Sequence, residues 1–238
     1  MSRLIEFSTG LWVNNLPHKR LLRDYKLIAF DMDSTLINIE CIDEMAAMVG
    51  LQSEVSAITE AAMRGEITDY KESLRQRVSL LKGAPVSVMQ QVYEQRLQLN
   101  PGVVQLIKHC QQAGLTTLIV SGGFDYFTHR LQTLLKIDDT RSNQLEVRDG
   151  CLTGQLLHQP WGDICDGEEK KRMVMQTSIK KGISAEECIA VGDGSNDLPM
   201  MAWCGLSVAY QAKPKVRESA NIAIDSGGID RMLEIITV

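Results

Sequence analysis

Four aspartates in two short segments carry the clearest chemical signal in this chain of 238 residues. Asp31 and Asp33 follow the apolar run "LIAF", and Asp193 and Asp197 follow "CIAV" with the i, i+4 spacing of a helix. Like charges two residues apart on an extended strand point to the same side and repel each other unless a cation lies between them. Oxygen ligands suit Mg²⁺, which also retains waters and substrate phosphate. Asp-Gly turns and helix caps use the same residues, so either segment alone has a structural alternative.

A metal site does not by itself require two acids at one strand end. An aspartate can also attack phosphorus and form an aspartyl phosphate. A neighbouring carboxyl can give a proton to the leaving alcohol and later take one from water. We therefore predict Asp31 as a nucleophile and Asp33 as the general acid and base.

Phosphoryl transfer also needs positive or hydrogen-bonding groups around the phosphate oxygens. Ser121 ends the run "LTTLIV" with a hydroxyl, and the amides of Gly122 and Gly123 could receive an anion at a helix start. Lys170 or Lys171, in "DGEEKKRMV", can supply a cation. The S-G-G segment could instead be a simple turn, and the two lysines could face solvent on a helix. These residues therefore indicate a phosphate site only in combination with the aspartates.

Short β-branched runs alternate with helical patterns along most of the chain, for example the helix predicted over Gly102–Gly114. This alternation predicts an α/β fold with a parallel sheet covered on both faces. Ligands of such sheets bind beyond the carboxyl ends of the strands, where Asp31, Ser121 and Asp193 are expected to meet. The predicted strands are 27–30, 115–120, 188–191, 206–209 and 222–225.

One region breaks this alternation. From about Ile39 to Leu97, four consecutive helical segments occur without a convincing strand, and we expect them to form a lid over the mouth of the sheet. Further on, "LEVRDGCLTGQLL" predicts a β-hairpin turned at Asp149-Gly150. The predicted divisions are a weakly patterned N-terminal extension (1–24), a core (25–39 and 98–238) and a helical cap (40–97).

Composition and charge argue against several function classes. With 25 basic and 30 acidic residues and no basic stripe, nucleic acid is not an expected partner. No apolar run approaches the length of a membrane span and no secretory signal pattern opens the chain, so we expect no membrane partner and a cytoplasmic location. The six cysteines and four histidines are scattered, which gives little support to disulfides, a zinc site or a Ser-His-Asp arrangement.

Together the motifs resemble a known family. The segment "DMDST", S-G-G after an apolar strand, a downstream lysine and "GDGSNDLPM" are similar, in this order, to the four motifs of the haloacid dehalogenase superfamily, over roughly residues 25–232. The segments "DMDSTLINIECIDEMA" and "SLRQRVSLL" resemble its phosphoserine phosphatases. The resemblance implies a Rossmann-like core with a small four-helix cap. It also implies Mg²⁺-dependent hydrolysis of O-phospho-L-serine to L-serine and phosphate. The sequence leaves open whether the protein is a monomer or a homodimer.

The same resemblance implies a role for each matched residue. Mg²⁺ would be held by Asp31, the backbone carbonyl of Asp33, and Asp193. Asp197 would order the metal waters or the lysine. The residues implied in phosphate or substrate binding are Ser121, Gly122, Lys170 and Asn196.

The amino-acid end of phosphoserine carries an ammonium and a carboxylate, so a selective pocket needs one acid and one base. Glu40 and Arg77 match the family positions for these tasks, and a guanidinium can bind a carboxylate with two hydrogen bonds. Glu40 could instead cap a helix, and Arg77 could lie on a solvated helix face. Met63 and Tyr70, on the insertion, could close over the serine portion, with ordinary cap packing as the alternative. Tyr70 takes the place of a Phe-like cap residue of the family when one inserted residue is allowed.

Two other functions stay open at this point. One is a phosphatase or phosphotransferase for a related small compound, such as phosphothreonine or phosphohomoserine. The other is a signalling protein that accepts a phosphoryl group on aspartate. A switch needs a long-lived acyl phosphate, whereas an acid/base such as Asp33 accelerates its hydrolysis, so the sequence favours the enzyme.

Overall fold

The computed structural model describes residues 4–18, 21–63 and 69–238. Among these residues, no helix combines the length and the apolar composition that a membrane span needs. The strands of this part of the chain are β1 (Ile5–Ser8), β2 (Leu11–Val13), β3 (Leu27–Phe30), β4 (Thr116–Phe124), β5 (Asp139–Asn143), β6 (Leu145–Arg148), β7 (Cys151–Leu156), β8 (Cys188–Gly192), β9 (Leu206–Tyr210) and β10 (Ile222–Ile224). The α-helices are α1 (Cys41–Met48), α2 (Gln52–Met63), α3 (Tyr70–Leu80), α4 (Ser87–Gln95), α5 (Val103–Gln112), α6 (Asp125–Leu135), α7 (Gly167–Lys181), α8 (Leu198–Trp203) and α9 (Pro214–Ser219).

The large sheet has the strand order β1-β2-β10-β9-β8-β3-β4-β5, and neighbouring strands from β10 to β5 run parallel. This confirms the predicted α/β fold. Strand β3 lies between β8 and β4, with Phe30 in register with Val191 and Ile119. Because parallel strands end at the same edge, the aspartates and the serine that follow these residues reach one mouth of the sheet.

Side chains of β3 alternate between two apolar clusters, one on each face of the sheet. Ile28 and Phe30 pack in the cluster that includes α5 and α6, whereas Leu27 and Ala29 pack in the cluster that includes α7 and α8. All four side chains are fully buried. Helices therefore cover both faces, which explains why this strand reads as a continuous apolar run rather than an alternating one.

The insertion after β3 contains the four helices α1 to α4. Its apolar side chains, such as Met45, Leu74 and Val78, belong to the same cluster as Phe30. The two chain segments that connect it to the core pair with each other through an antiparallel bridge between residues 37 and 99. The cap thus packs on the core as part of one continuous apolar cluster.

The predicted hairpin is present as β6 and β7, with Asp149 and Gly150 both at positive φ in its turn. It pairs with the loop between α3 and α4 rather than with the large sheet. Gly83 N donates to Leu152 O, and Leu152 N donates to Ala84 O, both at 2.8 Å. The hairpin therefore connects the second half of the core to the cap, a contact that the local sequence patterns did not predict.

The described part of the N-terminal extension continues the large sheet. Strands β1 and β2 form an antiparallel hairpin, and β2 pairs with β10 through Leu11 opposite Ile224 and Val13 opposite Ile222. Strands of four and three residues are too short to show a clear period of two. This explains why residues 1–24 appeared weakly patterned.

Candidate active site

A buried lysine connects two of the predicted aspartates. Lys170, on α7, is fully buried and places Nζ 2.7 Å from Oδ1 of Asp31 and 2.7 Å from Oδ1 of Asp197. Burial acts to lower the pKa of Lys170, but Asp197 and Asp31 outweigh it and raise the pKa well above its ordinary value. Lys171 is partly exposed and lies 3.9 Å from Glu168. Of the two lysines that the sequence left open, the structure brings Lys170 to the aspartates.

Asp193 and Asp197 do not share an α-helix, so the i, i+4 interpretation of their spacing is wrong. Residues Ser195–Asp197 form a 3-10 turn, and α8 begins only at Leu198. Oδ2 of Asp197 accepts hydrogen bonds from the backbone N–H of Asp193 at 3.1 Å and from that of the next residue at 3.0 Å. Asp197 therefore shapes the loop that holds Asp193 at the end of β8.

Carboxylate oxygens of Asp31, Asp193 and Asp197 lie within 4.8 Å of one another. Both oxygens of Asp197 already accept hydrogen bonds from the chain, while Thr35 Oγ1 donates to Oδ1 of Asp193 at 3.0 Å. This oxygen-only donor set fits a hard divalent cation between Asp31 and Asp193. The side chain of Asp33 is not part of this group of three, and the role of its backbone carbonyl as a ligand stays a prediction.

Asp33 has a proton affinity suited to acid–base chemistry. Its Oδ1 accepts a hydrogen bond from the backbone N–H of Cys41 at 3.0 Å. Burial, together with the charge of Glu40, raises the pKa of Asp33 to about 7. A carboxyl group with this pKa can both give and take a proton near neutral pH.

The S-G-G segment is the end of a strand rather than the start of a helix, because β4 continues to Phe124. Ser121 is fully buried, and its Oγ accepts a hydrogen bond from Gly123 N at 2.9 Å. The Gly123 amide is therefore occupied, unlike the anion donor that the sequence predicted. Gly122 lines the cavity described next. A Cβ at Gly123 would press against Oδ2 of Asp33, so this close approach requires a glycine.

A cavity of about 840 Å³ lies between the strand ends and the cap. Glu40 lines it and is the N-cap residue of α1, yet its side chain makes no capping hydrogen bond and accepts one from Ser34 Oγ at 2.8 Å. Arg77, on α3, also lines it, and its Nε donates to Ser73 O at 3.4 Å. Asn196 lines the opposite, core side. The structure therefore brings the predicted acid and base of the cap to the cavity that the aspartates line.

Tyr70, the first residue of α3, forms one wall of this cavity. A Cβ added at Gly122 would collide with the Tyr70 hydroxyl, so the glycine permits close contact between the cap and the strand end. Burial raises the pKa of Tyr70, which keeps the phenol protonated at neutral pH. The side chain of Met63, predicted to lie nearby, is outside the described residues.

Three residues near the aspartates were not predicted. Asp43 and Lys213 line the cavity, and Thr35 orients Asp193. Thr35 belongs to the "DMDST" motif, and Asp43 stands about one helical turn after Glu40, so both had a signal in their spacing. Lys213 comes from a distant loop, and its local sequence carries no comparable signal.

Residues 28–202 match the family model described as haloacid dehalogenase-like hydrolase. This chain belongs to the haloacid dehalogenase-like hydrolases. The match includes both aspartate segments, Ser121 and Lys170, so it spans the residues that the four motifs of the sequence contributed to the candidate site. It confirms the resemblance inferred from the four motifs.

Near full-length relatives of this hydrolase carry a more specific name. A phosphoserine phosphatase from Polaromonas sp. is 62% identical over 231 residues, which are 97% of this chain and 98% of the relative. Two solved structures, of a phospho-aspartyl intermediate analogue and of a substrate-bound complex of phosphoserine phosphatase, each align with a TM-score of 0.82 at 37% identity. Each alignment covers 90% of this hydrolase and 99% of the other chain.

Proposed function

We propose that this hydrolase converts O-phospho-L-serine to L-serine and inorganic phosphate through an aspartyl phosphate on Asp31. One observation carries the proposal: a single cavity is lined by Asp31 and Asp33 at the strand ends and by Glu40 and Arg77 on the cap. The two aspartates have the chemistry that phosphoryl transfer needs. Glu40 and Arg77 carry the opposite charges that would bind the ammonium and the carboxylate of an amino acid. The near full-length phosphoserine phosphatase relative supports the same substrate.

In the proposed mechanism, a carboxylate oxygen of Asp31 forms a bond to phosphorus as the bond from phosphorus to the serine oxygen breaks. Asp33 gives its proton to the leaving oxygen. In the second step Asp33 takes a proton from a water, whose oxygen attacks phosphorus and releases Asp31 and phosphate. A pKa of about 7 for Asp33 suits both directions of proton transfer.

The remaining site residues would bind and balance charge. Mg²⁺, when bound by Asp31, Asp193 and the Asp33 carbonyl, would neutralise negative charge on the phosphate oxygens. Lys170 would keep the Asp31 carboxylate oriented through its 2.7 Å contact. Ser121, Gly122 and Asn196 would contact the phosphoryl group or the adjacent part of the substrate, with Asp197 as support.

The amino-acid end of the substrate would bind on the cap side of the cavity. Glu40 would accept hydrogen bonds from the ammonium, and Arg77 would bind the carboxylate through its planar guanidinium. Phosphothreonine carries the same two charged groups, so the acid and the base alone do not separate it from phosphoserine. Size exclusion by the cap wall that contains Tyr70 would provide that discrimination.

We also propose that the enzyme works in the cytoplasm, in serine biosynthesis, as a monomer or homodimer. Its binding partner would be its small phosphorylated amino acid substrate. All six cysteines are free, and several are buried. Unpaired thiols are typical of proteins in reducing compartments, which supports this location.

Phosphate release from O-phospho-L-serine, phosphothreonine and phosphohomoserine at defined Mg²⁺ tests the proposal. We expect the highest kcat/KM for phosphoserine, loss of turnover with EDTA and recovery with added Mg²⁺. Asp31→Asn should lower kcat by at least roughly a thousandfold and remove the phosphoenzyme detected by mass spectrometry after acid quench. Full turnover of Asp31→Asn would disprove the covalent mechanism, and equal kcat/KM on all three compounds would disprove the assigned pocket.

A further inference from the structure

Tyr70 has a hydroxyl that the proposed mechanism does not use. It is the first residue of α3, and its half-buried side chain forms part of the cavity wall. The hydroxyl makes no hydrogen bond to the part of the chain that the structure describes. The described side-chain atoms that are shielded from solvent and also lack a partner belong to other residues, so this hydroxyl remains accessible from the cavity. A phenol has one O–H group to donate.

This hydroxyl lies against the end of β4, beside a residue that we expect to contact phosphate. A Cβ built on Gly122 would collide first with the hydroxyl oxygen of Tyr70. Burial raises the pKa of the phenol, while the charges of Lys170 and Arg77 act to lower it and the charge of Asp31 acts to raise it. The hydroxyl is therefore close to charged groups of both the strand ends and the cap.

Two donors that the sequence assigned to phosphate are already engaged within the protein. The Gly123 amide donates to Ser121 Oγ at 2.9 Å. Lys170 places Nζ 2.7 Å from both Asp31 and Asp197, so two carboxylates share its charge. Phosphoryl transfer spreads negative charge over three equatorial oxygens, and donors aimed at these oxygens stabilise it. A further donor on the cap side of the cavity would meet this need.

We propose that the Tyr70 hydroxyl donates a hydrogen bond to a non-bridging oxygen of the substrate phosphoryl group. The inference rests on the proposed function and adds a cap residue to a phosphate site whose other proposed residues lie in the core. The ring of Tyr70 would still limit the size of the substrate, so the ring and the hydroxyl have separate roles. Helix α3 would then hold the substrate at two points, through Tyr70 at the phosphoryl group and through Arg77 at the carboxylate.

Tyr70→Phe separates the two roles, because it keeps the ring and removes the hydroxyl. At saturating Mg²⁺ we expect kcat/KM for O-phospho-L-serine to fall roughly tenfold, as for the loss of one hydrogen bond to a charged acceptor. O-phosphoethanolamine, which lacks the carboxylate, should show the same relative loss, because it carries the same phosphoryl group. The ratio of kcat/KM between phosphoserine and phosphothreonine should stay within about twofold of wild type, since the wall of the cavity is intact.

Inhibition by the two products gives a readout that a change of packing alone would not produce. Inorganic phosphate has the group that the hydroxyl would contact, and L-serine lacks it. We expect Tyr70→Phe to raise the Ki of phosphate roughly tenfold and to leave the Ki of L-serine within about twofold of wild type. Tyr93→Phe is the matched control, because Tyr93 lies on cap helix α4 beside Arg130, outside the cavity lining. This control should leave both Ki values and kcat/KM unchanged.

The outcomes distinguish this inference from the proposed function. If Tyr70→Phe leaves the Ki of phosphate unchanged but lowers Tm, the phenol donates within the protein, for example to Cys165 O near Gly122, and the inference is wrong. If the Ki of L-serine rises as much as that of phosphate, Tyr70 does not act on the phosphoryl group and the inference is also wrong. Failure of the wild-type enzyme to hydrolyse phosphoserine would instead overturn the proposed function, and calorimetry of phosphate binding would still test Tyr70.

Discussion

At the scale of single residues, the arrangement of the aspartates in the candidate active site depends on the buried side chain of Lys170. Lys170 contacts Asp31 and Asp197 at 2.7 Å each, and Asp197 in turn binds the backbone of the loop that contains Asp193. A fully buried lysine is stable only when its charge is compensated by nearby acids. Lys170 therefore connects the proposed nucleophile to the loop that carries a proposed metal ligand.

Removal of this cation should affect stability and activity together. We expect Lys170→Met to lower kcat/KM by roughly a hundredfold and the free energy of unfolding by about 3 kcal/mol, because two carboxylates would remain buried without their partner. Steady-state kinetics and urea unfolding measure these effects. Lys171→Met, at the partly exposed neighbour, is the control and should change neither quantity appreciably. Equal effects of the two substitutions would contradict the assignment of Lys170.

At the scale of secondary-structure elements, α3 is the cap helix that forms ion pairs with the core among the described residues. Lys71 Nζ lies 3.4 Å from Oδ2 of Asp166, and one turn later Arg75 forms an ion pair with Asp163. Both acids lie in the loop before α7. Because α3 also carries Arg77, these ion pairs help to position the proposed carboxylate-binding group over the strand ends.

We expect a weakening of this contact to raise KM for phosphoserine. Arg75→Gln removes one partly exposed ion pair, which is worth about 1 kcal/mol or less, so KM should rise no more than about fivefold with kcat little changed. The wild-type KM should also rise with added KCl, since salt screens exposed pairs. In Arg75→Gln this salt dependence should be smaller. A salt dependence equal to that of wild type would show that the Arg75 pair does not position α3.

At the scale of the whole molecule, the fold concentrates negative charge at one edge of its sheet. Burial raises the pKa of Asp33 and of Asp193 to about 7 each. The charge of Glu40 contributes to the raised pKa of Asp33, and that of Asp197 to the raised pKa of Asp193. In the unfolded chain these groups ionise near pH 4. Between about pH 4 and 7 these two groups hold more protons in the folded protein than in the unfolded chain. Their contribution to the free energy of unfolding therefore falls as the pH rises.

This difference predicts how pH and metal change the stability of the protein. Without metal, the contribution of each group to the free energy of unfolding should fall between about pH 4 and 7, by at most about 1.4 kcal/mol per pH unit. Asp193→Asn should reduce this slope, whereas Asp139→Asn, at an exposed site, should not. Because a cation competes with protons, Mg²⁺ should raise Tm more at pH 8 than at pH 5.5. Thermal unfolding over this range measures both effects, and a Mg²⁺ shift independent of pH would argue against binding by these carboxylates.

Much of the fold and of the site follows from local sequence. The runs that end at Asp31, Ser121 and Asp193 are apolar and β-branched, so they indicate buried strands, and parallel strands necessarily end at the same edge. The edge hairpin at residues 5–13 and the contact between β7 and the cap were beyond prediction. The first uses strands too short for a periodic signal, and the second joins segments far apart in the chain.

By itself, the sequence determined which residue types gather at the mouth of the sheet and that helices cover it, because strand ends and helical periods are local properties. Only the tertiary structure decided that Lys170 rather than Lys171 contacts the aspartates and that the Gly123 amide is occupied. These facts depend on distances between residues that are remote in the chain or on the exact direction of a side chain. Such distances arise only when the packed core places each element against its neighbours.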